Sequence, residues 1–211
     1  MAEPVPDSDA DLRAAAAIAR GHVAGLILAG GQGQRVNAAD KGLLAWRGEP
    51  LVSHVARRLA PQVGRLIVSA NRNQDTYAHY GEVVGDDAAL GAWQGPLAGV
   101  AAGLAAWREG WLVCVPCDTP LIPDTLAARL IGAAARAGCR VGVASSLGRR
   151  HAVCMAVRAE ALDGLRAYLA GGDRKVALWQ EQAGCVEVPF DDQPAAFLNL
   201  NTAEDFAFAQ S

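Results

Sequence analysis

The sequence predicts an α/β fold of three layers, in which helices cover both faces of a mostly parallel central sheet. Two observations carry this prediction: apolar runs alternate with helix-like stretches, and each apolar run is continuous, as in strands buried on both faces. Prolines open three of the helix-like stretches, at Pro50, Pro96 and Pro123. A proline suits the first helical turn because the N–H that it lacks would be unpaired there.

The apolar runs predict strands at 23–29, 65–70, 82–85, 111–115, 140–144, 152–157 and 186–188. Helix-like spacing predicts helices at 50–59, 96–108, 123–137, 161–170 and 174–183. A length of 211 residues fits one large domain, to which we assign residues 23–211. Residues 1–22 form an N-terminal extension, first acidic and then alanine-rich, which we expect to be mobile or a short helix.

Composition and charge exclude several classes of protein. A hydrophobic content of 52% with 19% charged residues indicates a globular chain. A net charge of −3 and a pI near 5.8 provide no general attraction to nucleic acid. No apolar run approaches the roughly 18 residues of a membrane helix, and the start lacks the pattern of a secretory signal. We therefore expect a cytoplasmic protein that binds neither nucleic acid nor a membrane.

A glycine-rich loop follows the first strand. The chain reads LAGGQGQR from Leu28 to Arg35, and Lys41 follows within DKG. The glycines of the loop are Gly30, Gly31 and Gly33. They leave backbone N–H groups open to a phosphate, and the cations of Arg35 and Lys41 lie within reach. The loop therefore predicts a nucleoside triphosphate site. The spacing fits neither a dinucleotide fingerprint nor a Walker A loop.

Polar residues also follow the next three predicted strands. Ser69 and Asn71 follow the second strand, Asp86 and Asp87 the third, and Asp118 the fourth. Ligands of open parallel sheets bind outside the carboxyl ends of the strands, so we expect these residues to share a site. Either aspartate of the pair 86–87 is available as a second metal ligand or as a contact to ribose or base.

The Asp118 carboxylate is held between two prolines, Pro116 and Pro120. A single well-placed aspartate suffices for Mg²⁺, which prefers one or two carboxylates together with phosphate oxygens and water. The alternative is a cap for the helix predicted near Pro123. Gly95 begins another helix, whose small residues let it lie close to a strand and whose N-terminus is available to an anion.

The cysteines and histidines do not indicate a reactive cluster. Five cysteines are an odd number and widely scattered, which argues against a disulfide scaffold. Cys114 and Cys117 match C-x-x-C, but Cys114 lies inside an apolar strand, so we expect reduced thiols and no zinc site. The histidines form no pattern of a metal site or a catalytic triad. His151 is predicted to be a strand-edge residue with a local partner, and the alternative is that it helps to bind an acidic substrate.

Five motifs in a fixed order resemble the molybdenum cofactor guanylyltransferases, and the likeness covers residues 23–208. The motifs occupy 28–35, 40–42, 95–99, 116–120 and 199–202. This resemblance implies a Rossmann-like nucleotidyltransferase fold. The chain departs from the family at residues 36–38, which read VNA where Met-Gly-Gly is usual, and at Ala152, where proline is usual after the histidine.

The resemblance implies that GTP lies on the N-terminal part of the domain and molybdopterin on the C-terminal part. The implied GTP-binding residues are Leu28, Ala29, Gly30, Gly31, Gly33, Lys41, Ser69, Asn71, Asp86 and Gly95. Asn71 is included because the family often has asparagine where Ser69 stands. The implied molybdopterin-binding residues are Arg174, Lys175, Asn199 and Asn201, and the catalytic residues are Arg35, Lys41 and Asp118, with Mg²⁺ on Asp118.

The implied reaction is transfer of GMP from GTP to the terminal phosphate of molybdopterin, with release of pyrophosphate. A phosphate monoester is already ionised near neutral pH, so this nucleophile needs no general base. We expect a monomer, with molybdoenzyme apoproteins or their chaperones as protein partners. The alternatives are a molybdopterin cytidylyltransferase, a sugar-phosphate nucleotidyltransferase and a non-catalytic molybdopterin carrier.

Overall fold

A computed structural model of the chain describes residues 20–29, 40–86 and 95–200. The strands are β1 Val23–Leu28, β2 Ala45–Trp46, β3 Glu49–Pro50, β4 Arg65–Ser69, β5 Glu82–Val84, β6 Trp111–Pro116, β7 Val141–Ser146, β8 Arg149–Arg158 and β9 Cys185–Pro189. The helices are α1 Leu51–Leu59, α2 Gln74–Tyr77, α3 Pro96–Ala106, α4 Leu126–Arg136, α5 Leu162–Ala170 and α6 Val176–Ala183. No helix in these ranges is both long and apolar enough to cross a bilayer.

The central sheet has the strand order β5-β4-β1-β6-β8-β7-β9. Every neighbouring pair is parallel except the two pairs made by β8, which runs antiparallel to β6 and β7. Since β1 is hydrogen-bonded to β4 on one side and β6 on the other, the carboxyl ends of these three strands lie side by side. The prediction of a mostly parallel sheet is confirmed.

Helices cover both faces of this sheet. Successive strand residues point to opposite faces, so Ile27 of β1 packs with α1 and α4 while Leu26 packs with α3 and α5. The strands β1 and β6 are buried at five consecutive positions each, which accounts for their continuous apolar sequence. The predicted three-layer α/β architecture is therefore confirmed.

Four of the five predicted helix starts lie one to three residues too early. Pro50 occupies the N-cap position of α1, and α4 begins at Leu126, three residues after Pro123. A side chain that is distant in sequence, that of Gln62, accounts for the later start of α4. Gln62 accepts a hydrogen bond from the N–H of Ala127 at 3.0 Å and donates one to the carbonyl oxygen of Pro123 at 2.9 Å. A tertiary contact of this kind leaves no local signal in the sequence.

The strand β8 begins at Arg149, three residues before the predicted start, and it contains a bulge. Val143 of β7 pairs with Met155, but the next residue, Ala144, pairs with His151, so residues 152–154 lie outside the regular ladder. Gln180 of α6 donates a 2.7 Å hydrogen bond to the carbonyl oxygen of Ala152 within this bulge. Bulges of this kind re-aim side chains, often beside functional sites.

Candidate functional site

The carboxyl ends of β4, β1 and β6 are tied together by backbone hydrogen bonds. The N–H of Ala29 donates to the carbonyl oxygen of Ser69 at 2.8 Å, and the N–H of Cys117 donates to that of Leu28 at 3.1 Å. These bonds continue the parallel ladders one residue beyond each strand. Leu28 and Ala29 therefore lie at the carboxyl edge of the sheet, directly before the glycine-rich stretch in the sequence.

Lys41 and Asp118 form an ion pair at this edge. The Lys41 Nζ atom contacts Oδ2 of Asp118, although the residues are 77 positions apart in the chain. Asp118 is 7% exposed, and its other oxygen, Oδ1, is buried with no hydrogen-bond partner among the described residues. The site thus contains a carboxylate oxygen that is positioned but unsatisfied, next to a cation.

The turn that carries Asp118 is anchored by the C-terminal segment of the described chain. The N–H of Leu200 donates to the carbonyl oxygen of Asp118 at 2.9 Å, and the Thr119 hydroxyl donates to Oδ1 of Asn199 at 2.9 Å. Asn199 is thereby attached to the residue that follows Asp118. The N-cap of α4 is Thr125, so the alternative that Asp118 caps the following helix is wrong.

Asp86 and Asn71 form a second polar pair at the same edge of the sheet. The Asn71 amide donates to Oδ2 of Asp86 at 2.8 Å, and the backbone N–H of Asp86 donates to Oδ1 of Asn71 at 2.9 Å. Three strand spacings separate β5 from β6, so Asp86 lies roughly 14 Å from Asp118. This distance argues against Asp86 as a second ligand of a metal on Asp118.

Ser69 lies beneath α3. It is 2% exposed, and a Cβ at Gly99 would lie 2.5 Å from its Oγ atom, which shows how closely the helix approaches. The small residues of α3 therefore serve packing, as predicted. Gly95 is the N-cap of this helix and has a φ of 78°, a conformation that favours glycine.

Arg174 and Lys175 lie in the connection between α5 and α6. The helix α5 follows the end of β8 beside Trp111, and α6 precedes the start of β9 beside Val141, so their connection turns toward the carboxyl edge of the sheet. The Arg174 guanidinium donates 2.7 Å hydrogen bonds to the carbonyl oxygens of Leu169 and Asp173. Arg174 is thus engaged in its own loop.

His151 has the local partner that the sequence predicts, Ser146, and it also makes a contact with Phe197 that the sequence does not predict. Ser146 Oγ and His151 Nε2 are hydrogen-bonded at 2.7 Å, and the imidazole stacks on Phe197 with 4.5 Å between ring centroids. Burial, together with the nearby charge of Arg149, lowers the pKa of His151. The early start of β8 and its bulge place this pair at the carboxyl edge, and neither feature has a periodicity that sequence analysis could detect.

The thiols near the site are not reactive groups. All five cysteines are unpaired, and burial raises the pKa of both Cys114 and Cys117. A protonated, buried thiol is a poor nucleophile and a poor metal ligand. No group of three potential metal ligands from histidine, cysteine, aspartate and glutamate occurs within the described ranges.

Six of the predicted site residues lie outside the described residues. They are Gly30, Gly31, Gly33, Arg35, Asp87 and Asn201. The structure brings together Leu28, Ala29, Lys41, Asp118 and Asn199, and it places Asn71 with Asp86. Ser69 and Gly95 belong to the contact between β4 and α3, whereas Arg174 and Lys175 belong to the connection between α5 and α6.

Comparison with known proteins is consistent with this arrangement. The family model of the MobA-like NTP transferase domain matches residues 25–184. The molybdenum cofactor guanylyltransferase of Acidovorax sp. (strain JS42) is 44% identical over 193 residues, which cover 85% of this chain and 91% of that protein. The protein of the same name from Cupriavidus taiwanensis is also 44% identical, over 89% of this chain and 96% of its own length.

A solved structure shows a similar fold. Molybdopterin-guanine dinucleotide biosynthesis protein A from Archaeoglobus fulgidus superposes with a TM-score of 0.73, at 22% sequence identity, over 88% of this chain and 96% of that one.

Proposed function

Because this chain belongs to the molybdenum cofactor guanylyltransferases of the MobA-like NTP transferase family, we propose that it transfers GMP from GTP to the terminal phosphate of molybdopterin. The product is the guanine dinucleotide form of the cofactor, and pyrophosphate leaves. The observation that supports this function best is the Lys41–Asp118 pair at the carboxyl edge of the sheet, where one carboxylate oxygen has no hydrogen-bond partner among the described residues.

Asp118 fits a magnesium ion. Its buried Oδ1 atom lacks a hydrogen-bond donor among the described residues, and a lone buried carboxylate oxygen is a suitable partner for a hard cation. One protein carboxylate is enough, because Mg²⁺ usually completes its coordination with water and substrate phosphates. When bound, the ion neutralises charge on the triphosphate. Asp118 would hold it, and Asn199 would steady the turn through Thr119.

The protein's own contribution to the transfer is alignment and charge. An oxygen of the acceptor phosphate forms a bond to the α-phosphorus of GTP while the bond from that phosphorus to the bridging oxygen of pyrophosphate breaks. Lys41 exchanges Asp118 for the triphosphate and stabilises the charge that develops on the leaving group. Arg35 and the glycines Gly30, Gly31 and Gly33 supply further charge and N–H donors in the same role. No side chain has to remove a proton.

Asp86 and Asn71 bind the nucleoside end of GTP in this proposal. Their separation of roughly 14 Å from Asp118 matches the distance across a nucleotide better than the span of a metal site. The mutual hydrogen bonds of the pair fix the Asp86 carboxylate in one orientation. Because Ser69 is buried under α3, Asn71 is the better candidate for the polar contact that follows β4.

Molybdopterin would occupy the other side of Asp118, where Asn199 contacts Thr119. Asn201, Arg174 and Lys175 extend this region in our proposal, and a basic loop suits an anionic acceptor. We also predict that the protein delivers the product to molybdoenzyme apoproteins or their chaperones. A monomeric state is a further prediction.

The test is pyrophosphate release from GTP, CTP and UTP, each with Mg²⁺ and with molybdopterin as the acceptor. We expect GTP to be preferred and Asp118→Asn to reduce the rate by about 10² to 10³. Asp124→Asn is the matched control, because Asp124 lies in the same connection with its side chain 81% exposed. Preference for CTP would favour a cytidylyltransferase, and no turnover with any nucleotide would favour a carrier.

A further inference from the structure

The Asp40 carboxylate is used in an unusual way. Asp40 precedes the 3₁₀ helix Lys41–Leu43, where an aspartate would be a natural N-cap, yet its side chain makes no capping hydrogen bond. Instead, Oδ1 accepts a hydrogen bond from the Tyr77 hydroxyl at 2.5 Å, and Oδ2 accepts one from the Asn73 amide at 2.9 Å. Both oxygens are therefore held by a segment more than 30 residues away.

Tyr77 is a rigid donor. Its ring is fully buried in the core beneath the sheet, so the position of the hydroxyl is fixed by packing. Burial first, and the hydrogen bond to Asp40 second, raise the pKa of Tyr77, so the hydroxyl keeps its proton at any pH at which the enzyme works. The same hydroxyl lies against Gly42, where any Cβ would collide with it and with Cys117.

Asn73 is held in the left-handed region, with a φ of 49°. That conformation is uncommon outside glycine, although asparagine tolerates it, and such residues concentrate at functional sites. The Asn73 carbonyl oxygen also accepts the N–H groups of Thr76 and Tyr77, at 3.0 and 3.1 Å. The turn thus presents the amide of Asn73 and the hydroxyl of Tyr77 to one carboxylate.

These contacts lie on both sides of Lys41, because the Asp40 side chain is hydrogen-bonded and Gly42 packs closely against the Tyr77 hydroxyl. We propose that Tyr77 and Asn73 are positioning residues for Lys41: through Asp40 they fix the turn from which the ammonium reaches Asp118 and the triphosphate. The inference rests on the proposed function for the role of Lys41. A long, flexible lysine contributes most when its backbone is preorganised, since small misplacements of catalytic groups are costly.

Tyr77→Phe tests the inference because it removes the hydroxyl and keeps the ring. We expect kcat/KM for GTP to fall about tenfold, together with a fall of a few degrees in the thermal midpoint, because the Asp40 oxygen loses its donor. Tyr80→Phe makes the same chemical change three residues later, on a partly buried ring, and should leave kcat/KM unchanged. Asn73→Ala acts on the other carboxylate oxygen and should lower kcat/KM in the same direction, which provides a second variant if Tyr77→Phe folds poorly.

A double-mutant cycle with Lys41→Ala separates positioning from a general structural effect. If Tyr77 acts through Lys41, adding Tyr77→Phe to Lys41→Ala should change kcat/KM by less than twofold. An equal tenfold loss in both backgrounds, or wild-type kcat/KM in Tyr77→Phe and Asn73→Ala, would overturn the inference. If the wild type prefers CTP, the assignment as a guanylyltransferase fails. The same double-mutant cycle, measured with CTP, would then still test the positioning role of Tyr77. Turnover at the wild-type rate by Lys41→Ala would contradict both this inference and the proposed role of Lys41 in the transfer.

Discussion

Replacing Gly99 by alanine should destabilise the protein, although the same change stabilises most helices. The added Cβ would lie 2.5 Å from Ser69 Oγ and 2.8 Å from Leu28 Cδ2, so neighbouring atoms must move. Overpacking of a close-packed interior costs about 1–3 kcal/mol, whereas the gain in helix propensity is about 1 kcal/mol. We expect a net loss of about 1 kcal/mol, which corresponds to a lower midpoint by roughly 2–4 °C for a domain of this size.

Urea unfolding of Gly99→Ala and Gly164→Ala measures this difference. Gly164 lies inside α5, and a Cβ there would meet nothing within 4 Å, so its replacement should stabilise by about 0.5–1 kcal/mol. Ser69→Ala, combined with Gly99→Ala, removes the nearest clashing atom and should recover part of the loss. Equal stabilisation by both alanines would refute the close approach of α3 to the ends of β1 and β4.

Three further outcomes are expected. Asp86→Asn should raise the KM for GTP about tenfold with less effect on kcat, in steady-state kinetics, because it acts on binding of the nucleoside end. Calorimetry should show tight GTP binding only with Mg²⁺ present, and chelation of the Mg²⁺ should abolish this binding. The reason is that Asp118 holds the ion and Lys41 binds the triphosphate in the proposed site. The lowered pKa of His151 means that the unfolded state binds its proton first, so stability falls as pH drops below about 6.5. His151→Gln should lose that part of the pH dependence of the urea midpoint.

The regular layers of the fold were predictable because the strands are buried on both faces and therefore apolar throughout. The hairpin of β2 and β3 was missed because strands of two residues show no periodicity, although Gly48 in its turn has a φ of 82°. The start of α4 was missed because it depends on Gln62, which is distant in sequence.

The residues of the candidate site likewise include some that the sequence predicted and some that it did not. Asp118 was predictable because it stands just beyond a strand, at the edge where such sheets bind ligands, and Lys41 because it follows the glycine-rich stretch in the sequence. Tyr77 and Asn73 gave no signal, since one reads as an ordinary core residue and the other as a turn residue. Their importance depends on a carboxylate that only the folded chain brings to them.

The acid at position 118 is difficult to explain by stability alone. An aspartate side chain that is 11% exposed loses most of its hydration, and a single ion pair with a lysine side chain that is 31% exposed seldom compensates fully for that loss. The Oδ1 atom, which lacks a hydrogen-bond donor in the part of the chain that the structure describes, adds to the cost. An amide of the same shape would carry no charge, so Asp118→Asn should leave the free energy of unfolding unchanged or increase it while transfer is lost. Urea unfolding and the pyrophosphate assay on one preparation would measure both, and a strongly destabilised variant would show that the acid serves the fold.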